Sequence, residues 1–327
     1  MIIMSTKDEI VFALKEAKEQ YVSGEELAKK LSLSRTAVWK HIETLKQDGY
    51  IIESSSRLGY LLKSSPDLMF PAEIQFGLQT KHFGRKIYYF SKVDSTNNKA
   101  KELVFAGAPE GSLVIAEEQV GGRGRLGRSW FSPPGGIWFS LVLRPQIVPG
   151  DILKVTMMAG IAGVEVIKEM VGLEPRIKWP NDLLIKGKKL VGILTEMETE
   201  ADRIHSVILG MGINANIAWR DFPPHLKETA TSMQAQLGKN VDRCRILRAL
   251  LAKLETGYAQ LRSGGFSTIR NSWMEHSDTL GSQVKVETVN GAIKGKAVDI
   301  SSEGALILEL DSGETKAVWS GDLITLG

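Results

Sequence analysis

The chain has 327 residues, of which 43% are hydrophobic and 24% are charged. This composition is ordinary for a globular protein, and the length predicts two or three compact domains, since one domain usually holds about 100 to 200 residues. No stretch approaches the roughly 20 apolar residues that span a bilayer, and the first residues lack the apolar segment of a signal peptide. We therefore expect a cytoplasmic protein without a membrane partner. The net charge of +3 is too small to indicate nucleic-acid binding by itself.

Cysteine and histidine are sparse. The single cysteine, Cys244, cannot form an internal disulfide and has no candidate base nearby. The five histidines are scattered, with no pair at metal-ligand spacing. The sequence therefore predicts neither a thiol nucleophile nor a built-in metal site.

Residues 7 to 63 have the pattern of a winged helix-turn-helix. Ser23 and Ser34 are placed to cap the second and third helices, and Gly49 suits the end of the third. Two short apolar segments on either side of the polar turn 54–59 predict the two strands of a wing. The apolar residues that recur at helical spacing are Ile10, Val11, Leu14, Leu27, Ala28, Leu31, Val38, Ile42 and Leu45.

The third helix and the wing carry the candidate DNA contacts. Residues 29 to 46 contain five basic side chains against one acidic side chain, Glu43. A small helical domain that binds another protein through a solvated charged face is the alternative, but the excess falls on the element that would enter the major groove. The residues expected to bind DNA are Ser34, Arg35, Thr36, Lys40, Thr44 and Arg57.

The remaining chain predicts two further domains. Residues 65–82 read as a linker and a short helix, after a DNA-binding domain over 1–64. Apolar runs alternate with helical patterns over 83–275, which predicts a mixed sheet carrying helices. Closely spaced strand patterns over 276–327, with turns such as Asn290-Gly291, predict a small β-barrel. The fold class is thus multidomain α+β.

The segment 119–134 is rich in glycine and arginine. Gly122, Gly124 and Gly127 match the GxGxxG spacing of dinucleotide-binding proteins, and 122–129 nearly matches a P-loop. Both motifs need a following helix whose N-terminus faces phosphate, whereas Trp130 and the residues up to Pro134 cannot begin a regular helix. The glycines permit close backbone approach, and the arginines supply planar cations for carboxylate or phosphate. A basic surface loop without a specific role is the alternative.

Four ordered motifs resemble those of the biotin protein ligases, in the bifunctional form that also represses the biotin operon. The glycine-arginine loop matches the family's GRGRxGRxW signature, with Leu126 at the variable position. The other segments are 94–97 (DSTN), 178–183 (KWPNDL) with 189–194 (KLVGIL), and 210–216 (GMGINAN). The resemblance covers essentially the whole chain. It implies a biotin/lipoate ligase-like central domain and a C-terminal barrel of the SH3-like type.

The resemblance implies a biotin site made of neutral polar groups and one aromatic ring. Hydroxyls, an amide and main chain suit the ureido ring, which has one carbonyl acceptor and two N–H donors. Trp130 would pack over the alkyl tail, although an aromatic residue beside a loop can also be plain core. The implied biotin-binding residues are Ser95, Thr96, Asn97, Gln119, Arg123, Arg125, Trp130 and Lys189.

The resemblance also implies the site where biotin is activated by ATP. Cations must offset repulsion between the carboxylate and the α-phosphate, and Lys189, Arg125 and Lys178 are the implied catalytic residues. The implied nucleotide-binding residues are Arg123, Arg128, Asn181 and Asn214. Mg²⁺ would enter with the triphosphate and not in an all-protein cage. Asp182 could help with metal or lysine entry, or could orient the turn after Pro180.

The implied reaction forms biotinyl-5'-AMP and transfers biotin to a lysine of a biotin carboxyl carrier protein. The acceptor lysine attacks the adenylate directly, which agrees with the lack of a convincing nucleophile and base in the chain. Operator DNA and a homodimer formed on adenylate or DNA binding are the further partners. Two alternatives stay open: a lipoate-type ligase, and a metabolite-sensing transcription factor without ligase activity.

Overall fold

The computed structural model describes residues 5–200 and 203–326. The chain divides into two units, Met1–Leu78 and Gln79–Gly327. Among the described residues, no helix is both long and apolar enough to cross a membrane.

The first unit is a winged helix-turn-helix. Serine hydroxyls cap its helices: Ser23 accepts a hydrogen bond from Glu26 N at 3.0 Å, and Ser34 accepts one from Ala37 N at 3.1 Å. The elements are α1 (Thr6–Glu16), α2 (Gly24–Lys30), α3 (Arg35–Gln47), β1 (Ile51–Ser55), β2 (Gly59–Ser64) and α4 (Pro71–Gln75). β1 and β2 pair antiparallel and form the wing.

The three helices and the wing enclose one apolar core, which holds the stripes expected from the sequence. Ile10, Leu27, Val38, Ile42 and Leu45 are all fully buried in it. The short helix α4 belongs to this unit as well, because Ala72 lies in the same core and Glu73 pairs with Lys15 at 2.6 Å.

A mixed seven-stranded sheet forms the centre of the second unit. Its order is β3-β4-β5-β9-β8-β7-β6, in which only β3 and β4 run parallel. The strands are β3 (Ile87–Val93), β4 (Leu113–Gln119), β5 (Ile137–Leu143), β6 (Arg176–Lys178), β7 (Asp182–Ile185), β8 (Lys188–Glu200) and β9 (Arg203–Ile213). The helices are α5 (Thr96–Phe105), α6 (Ile152–Val171), α7 (Met233–Leu237), α8 (Arg243–Arg262) and α9 (Phe266–Glu275).

The C-terminal part of this unit is a five-stranded antiparallel sheet in the order β13-β12-β11-β10-β14. Its strands are β10 (Gln283–Thr288), β11 (Gly291–Ile300), β12 (Leu306–Glu309), β13 (Thr315–Val318) and β14 (Asp322–Thr325). Among the described strands, the edges β13 and β14 do not pair with each other, so the expected barrel is open.

The predicted fold class is confirmed: a winged helix, a mixed sheet with helices and a small C-terminal sheet follow one another. The sequence patterns did not predict α9 or β14. β14 has only four residues. Its partner β10 lies almost 40 residues earlier in the sequence, and a local apolar pattern holds no information on so distant a partner.

Candidate functional site

A pocket over the central sheet, called the central pocket below, collects residues from all four motifs of the sequence analysis. It lies among the start of α5, the end of β4, the glycine-arginine loop, and the strands β7, β8 and β9. The predicted site residues in its wall are Ser95, Thr96, Asn97, Gln119, Arg123, Arg125, Arg128, Trp130, Asn181 and Lys189. Lys178 and Asn214 are not in that wall.

One part of the wall is a network of neutral polar groups. Gln119 Oε1 accepts hydrogen bonds from the Thr96 backbone N–H at 2.8 Å and from its hydroxyl at 3.0 Å. Gln119 Nε2 donates to Ser132 Oγ at 2.9 Å. The buried Ser140 hydroxyl lies 2.8 Å from Thr96 Oγ1 and 2.6 Å from Asn97 Oδ1. These bonds fix the orientation of the side chains before any ligand arrives.

Ser95 differs from the other helix-capping serines. It occupies the N-cap position of α5, yet its side chain makes no capping hydrogen bond, whereas Ser23, Ser34 and Ser232 each accept one. Only 2% of Ser95 is exposed. Its hydroxyl is therefore not used by the helix, and it belongs to the pocket wall.

The Trp130 ring lies directly against two strands, and glycines make room for it. A Cβ atom on Gly212 would stand 2.4 Å from Trp130 Nε1, and one on Gly192 would stand 2.7 Å from a carbon of the same ring. Only glycine fits at these positions while the ring stays in place. The buried Trp130 Nε1 has no hydrogen-bond partner among the described groups.

Glu196 on β8 links this wall to the glycine-arginine loop. Its carboxylate accepts hydrogen bonds from Asn97 Nδ2 at 2.7 Å and Lys101 Nζ at 3.0 Å, and Arg123 Nη2 lies 3.3 Å away. Burial alone would raise the pKa of Glu196, but the hydrogen bonds from Asn97 and Lys101 and the charge of Lys101 hold it below its ordinary value. Arg123 also donates to Asn98 Oδ1 at 2.7 Å.

The second part of the wall is cationic. Lys189 Nζ lies 2.7 Å from Asp182 Oδ1 and 5.0 Å from the centroid of the Trp130 ring. Arg125 Nη1 donates to Asn181 Oδ1 at 3.3 Å. Burial lowers the pKa of Arg125, the charge of Asp182 opposes this, and the charge of Arg128 adds to it. Desolvated cations of this kind bind anions more strongly than exposed ones do.

The C-terminal sheet reaches this cationic wall. Arg128 forms a two-pronged ion pair with Asp322 at the start of β14, in which Nη1 donates to Oδ1 at 2.9 Å. Arg125 Nη1 also donates to the Gly321 carbonyl at 3.4 Å. The sequence analysis did not identify Asp322, because its partner Arg128 is 194 residues away in the sequence and no local pattern reports so distant a contact.

Asn214 and Lys178 do not line the central pocket, but each is bonded or paired to an element that does. The buried Asn214 amide donates to the Thr231 carbonyl at 2.9 Å. That segment pairs with the backbone of Lys189, through Lys189 N to Thr229 O at 2.8 Å and Thr231 N to Lys189 O at 3.0 Å. Lys178 ends β6, opposite Asp182 in β7. Asn214 is thus bonded to the segment that pairs with Lys189, and Lys178 lies on the strand that pairs with Asp182.

In the first unit, the predicted DNA contacts lie on one surface of α3 and on the wing. Arg35, Thr36, Lys40, Thr44 and Arg57 are all exposed. The Ser34 hydroxyl is used as the helix cap. Lys46 pairs with Glu43 at 2.9 Å and donates to Ser54 Oγ in the wing at 3.1 Å, so this cation joins the two elements that were expected to contact DNA.

Comparison with known proteins follows the same division of the chain. Residues 89–214 match the model of the Biotin/lipoate A/B protein ligase family, residues 6–61 match an HTH domain, and residues 279–324 match the Biotin protein ligase C terminal domain. Over 318 residues the chain is 41% identical to the bifunctional ligase/repressor BirA of Bacillus subtilis, an alignment that covers 97% of this chain and 98% of the relative. The chain belongs to the family of bifunctional biotin protein ligases and repressors.

Other biotin protein ligases resemble parts of the chain. The biotin--[acetyl-CoA-carboxylase] ligase of Paracoccus denitrificans is 34% identical over 228 residues, which covers 68% of this chain and 94% of the relative. The biotin protein ligase of Aquifex aeolicus, solved in complex with biotin and ATP, has a TM-score of 0.64 and 29% identity, and covers 74% of this chain and 98% of its own. The family assignment made from the four motifs is confirmed.

Within this biotin protein ligase, sequence reasoning located the pocket but missed its supporting contacts. Ser140, Glu196 and Asp322 belong to no motif, and each is bonded to a partner far away in sequence, whereas Ser132 and its partner Gln119 both lie in the segment 119–134. Asp182 forms an ion pair with Lys189. The sequence analysis had assigned Asp182 to metal or lysine entry, or to the turn after Pro180, and had not included this contact.

Proposed function

We propose that this chain uses ATP to activate biotin as biotinyl-5'-AMP and then transfers biotin to a lysine of a biotin carboxyl carrier protein, and that its winged helix binds operator DNA. The observation that carries the ligase proposal is the combination, in one pocket wall, of a preordered neutral polar network with the cations Lys189, Arg125 and Arg128. The neutral part suits a ureido ring, and the cationic part suits a carboxylate and a triphosphate.

The neutral network supports the ureido assignment. The free hydroxyl of Ser95 and the amide of Gln119 can hydrogen-bond the ring, while Thr96 and Asn97 hold them in place. The backbone of Arg123 contributes main-chain polar groups beside them. Trp130 covers the alkyl tail, because the ring already packs on glycine backbone and presents an apolar face to the pocket.

The cations act on the reacting carboxylate and phosphate. Lys189 contacts the biotin carboxylate and then the mixed anhydride, where it stabilises the charge that develops as the carboxylate oxygen attacks the α-phosphorus and pyrophosphate leaves. Arg125 neutralises the approaching anions, and Arg128 and Asn181 bind the nucleotide. Arg128 exchanges Asp322 for phosphate when ATP enters. Lys178 ends the strand that pairs with Asp182, and Asn214 bonds to the segment that pairs with Lys189, so both help to position these residues.

The transfer step needs the acceptor lysine in its unprotonated form, and it needs water to be kept away from the anhydride. The acceptor amine attacks the carbonyl carbon of the adenylate, the amide bond forms, and AMP leaves with the bonding electrons of the anhydride oxygen. Asp182 lies beside Lys189 and can accept the proton that the amine loses. The pocket walls exclude water from the anhydride, which preserves it for the acceptor.

Magnesium enters with the triphosphate. Among the described residues, no three His, Cys, Asp or Glu side chains come together in a way that could hold a metal. The two carboxylates of the pocket wall, Asp182 and Asp322, are each ion-paired with a cation of the same wall. Mg²⁺ would be bound mainly by phosphate oxygens and water, and it would offset phosphate charge.

Repression depends on a dimer in this proposal. One winged helix offers few unpaired cations, so a single copy binds DNA weakly, whereas two copies combine their affinities on half-sites about 34 Å or a multiple of it apart. The adenylate supplies the signal, because it orders the glycine-arginine loop. Dimerisation then no longer has to bear the entropy cost of ordering that loop. Dimerisation then tightens adenylate binding by the same factor.

Biotinylation of a carrier domain tests the ligase, and sedimentation with DNA binding tests the repressor. The full chain, ATP and biotin should modify one lysine of the carrier, whereas lipoate in place of biotin should give no product; the reverse preference would identify a lipoate-type ligase.

Biotinyl-5'-AMP should raise both the dimer constant and the DNA affinity at one fixed salt concentration. If neither changes, the coupling is wrong even where biotinylation succeeds.

A further inference from the structure

Trp39 is a large apolar side chain on the DNA-facing side of α3. It is 53% exposed, although the same helix buries Val38, Ile42 and Leu45 completely on its other side. Trp39 was not among the residues that the sequence pattern assigned to DNA. Among the described residues of α3, Trp39 is the one large hydrophobic side chain that is exposed.

The indole lies in a groove between α3 and the wing. Arg35 and Thr36 line the groove from the helix, and the wing segment 54–57 lines it from the other side. Within the described part of the chain, Trp39 has no aromatic, cationic or hydrogen-bonding partner. A ligand that covers the ring with an apolar group would remove this surface from water, which favours binding.

Three of the neighbouring polar side chains, Glu43, Lys46 and Thr44, are already engaged within the protein. Glu43 pairs with Lys46, Lys46 also donates to the wing, and the Thr44 hydroxyl donates to the Lys40 carbonyl at 3.1 Å. Arg35 and Lys40 carry charge suited to phosphates, which do not specify sequence. Arg35 and Thr36 are exposed at the start of the helix and can hydrogen-bond base edges, and Trp39 adds an apolar contact that these side chains do not provide.

We propose that Trp39 is a specificity-determining residue, which reads thymine by packing against the C5-methyl group in the major groove. This inference rests on the proposed DNA binding and adds the chemical group that is read. The methyl is the one apolar feature that a base pair displays in the major groove, so it is the natural partner for an exposed indole on a recognition helix.

The test uses duplexes selected from a random-sequence pool by the full wild-type chain with biotin and ATP. Each thymidine of the selected site is then replaced, one at a time, by deoxyuridine, which removes only the methyl group. Binding is measured for the wild type, for Trp39→Ala, and for Ile51→Ala as a control, since Ile51 is 62% exposed in the same unit but does not line the groove. Thermal melting confirms that the variants fold.

The expected result is that deoxyuridine at one position in each half-site weakens wild-type binding about fourfold, the effect of one buried methyl group. Ile51→Ala should show the same loss, whereas Trp39→Ala should bind thymine and uracil sites equally. Equal losses in Trp39→Ala and the wild type, or no position that responds in the wild type, overturn the inference while DNA binding stands. If the wild type selects no sequence, the DNA-binding function and the inference both fall.

Discussion

Replacing Lys189 with alanine isolates the contribution of one charge to adenylate formation. The ammonium group lies in the central pocket, 2.7 Å from Asp182 Oδ1. A fixed donor that faces charge developing in a transition state contributes about 2.7 to 4 kcal/mol, which is about 10²- to 10³-fold in rate. Because 32% of the Lys189 side chain is exposed to water, screening places the expected loss in kcat near the lower figure, about 10²-fold.

Single-turnover formation of biotinyl-5'-AMP measures this loss, and calorimetry measures the Kd for biotin separately. Biotin binding should weaken much less than kcat falls, since the charge acts mainly in the transition state. The control is Lys186→Asn, an exposed lysine in the turn before β8 whose φ of 50° asparagine tolerates. A wild-type rate in Lys189→Ala, or an equal loss in the control, would refute the reasoning.

The unpaired Asp182 carboxylate is a second possible cause of a slow rate in Lys189→Ala, because it would repel the phosphates. The double variant Lys189→Ala/Asp182→Asn removes that carboxylate charge. If the missing ammonium is responsible, the double variant stays about as slow as the single one. Recovery to nearly the wild-type rate would assign the loss to Asp182 instead.

Three further predictions concern the pocket wall. Ser95→Ala should weaken biotin binding about three- to tenfold with an unchanged Tm, since its hydroxyl caps no helix, whereas Ser232→Ala should lower the Tm because its hydroxyl caps α7. Gly212→Ala should weaken biotin binding about tenfold, because its Cβ displaces the Trp130 ring. The pKa of Glu196 is lowered in the folded state, so its carboxylate stabilises the fold above its ordinary pKa of 4.5 and this contribution is lost as the pH falls through the folded value. The Tm difference between wild type and Glu196→Gln should therefore be largest at neutral pH and shrink on acidification below about 4.5.

Each of these predictions has a clear contrary result. Unchanged biotin affinity in Ser95→Ala would remove that hydroxyl from the ureido site. Wild-type affinity in Gly212→Ala would mean that the ring position is not important for the ligand. A Tm difference for Glu196→Gln that stays constant from neutral to acid pH would exclude its carboxylate charge as the stabilising feature.

Local patterns predicted the winged helix well because its signals are local. Ser23 and Ser34 cap the helices they were expected to cap, and the buried stripe at Val38, Ile42 and Leu45 follows the helical period. The pocket residues were found for a different reason. Their motifs resemble those of a known family, and the glycines Gly192 and Gly212 in those motifs make room for Trp130.

Long-range contacts explain what the sequence did not predict. Glu196 contacts Asn97 and Arg123 because β8 lies in the sheet between β9 and β7. Asp322 reaches Arg128 only because the C-terminal sheet folds back onto the loop. A charged residue on a strand carries no sequence signal for such a partner, since its spacing along the chain is unrelated to its position in space.

Biotin-dependent exchange of pyrophosphate into ATP tests the central claim most directly. It reports adenylate formation alone, without a carrier protein or DNA, and it needs only the full chain, ATP, Mg²⁺, labelled pyrophosphate and biotin. The proposed chemistry predicts that label enters ATP when biotin is present, that omission of biotin abolishes exchange, and that lipoate does not replace it. Exchange that is absent with biotin, or equal with and without it, would contradict the assignment of the central pocket to biotin activation.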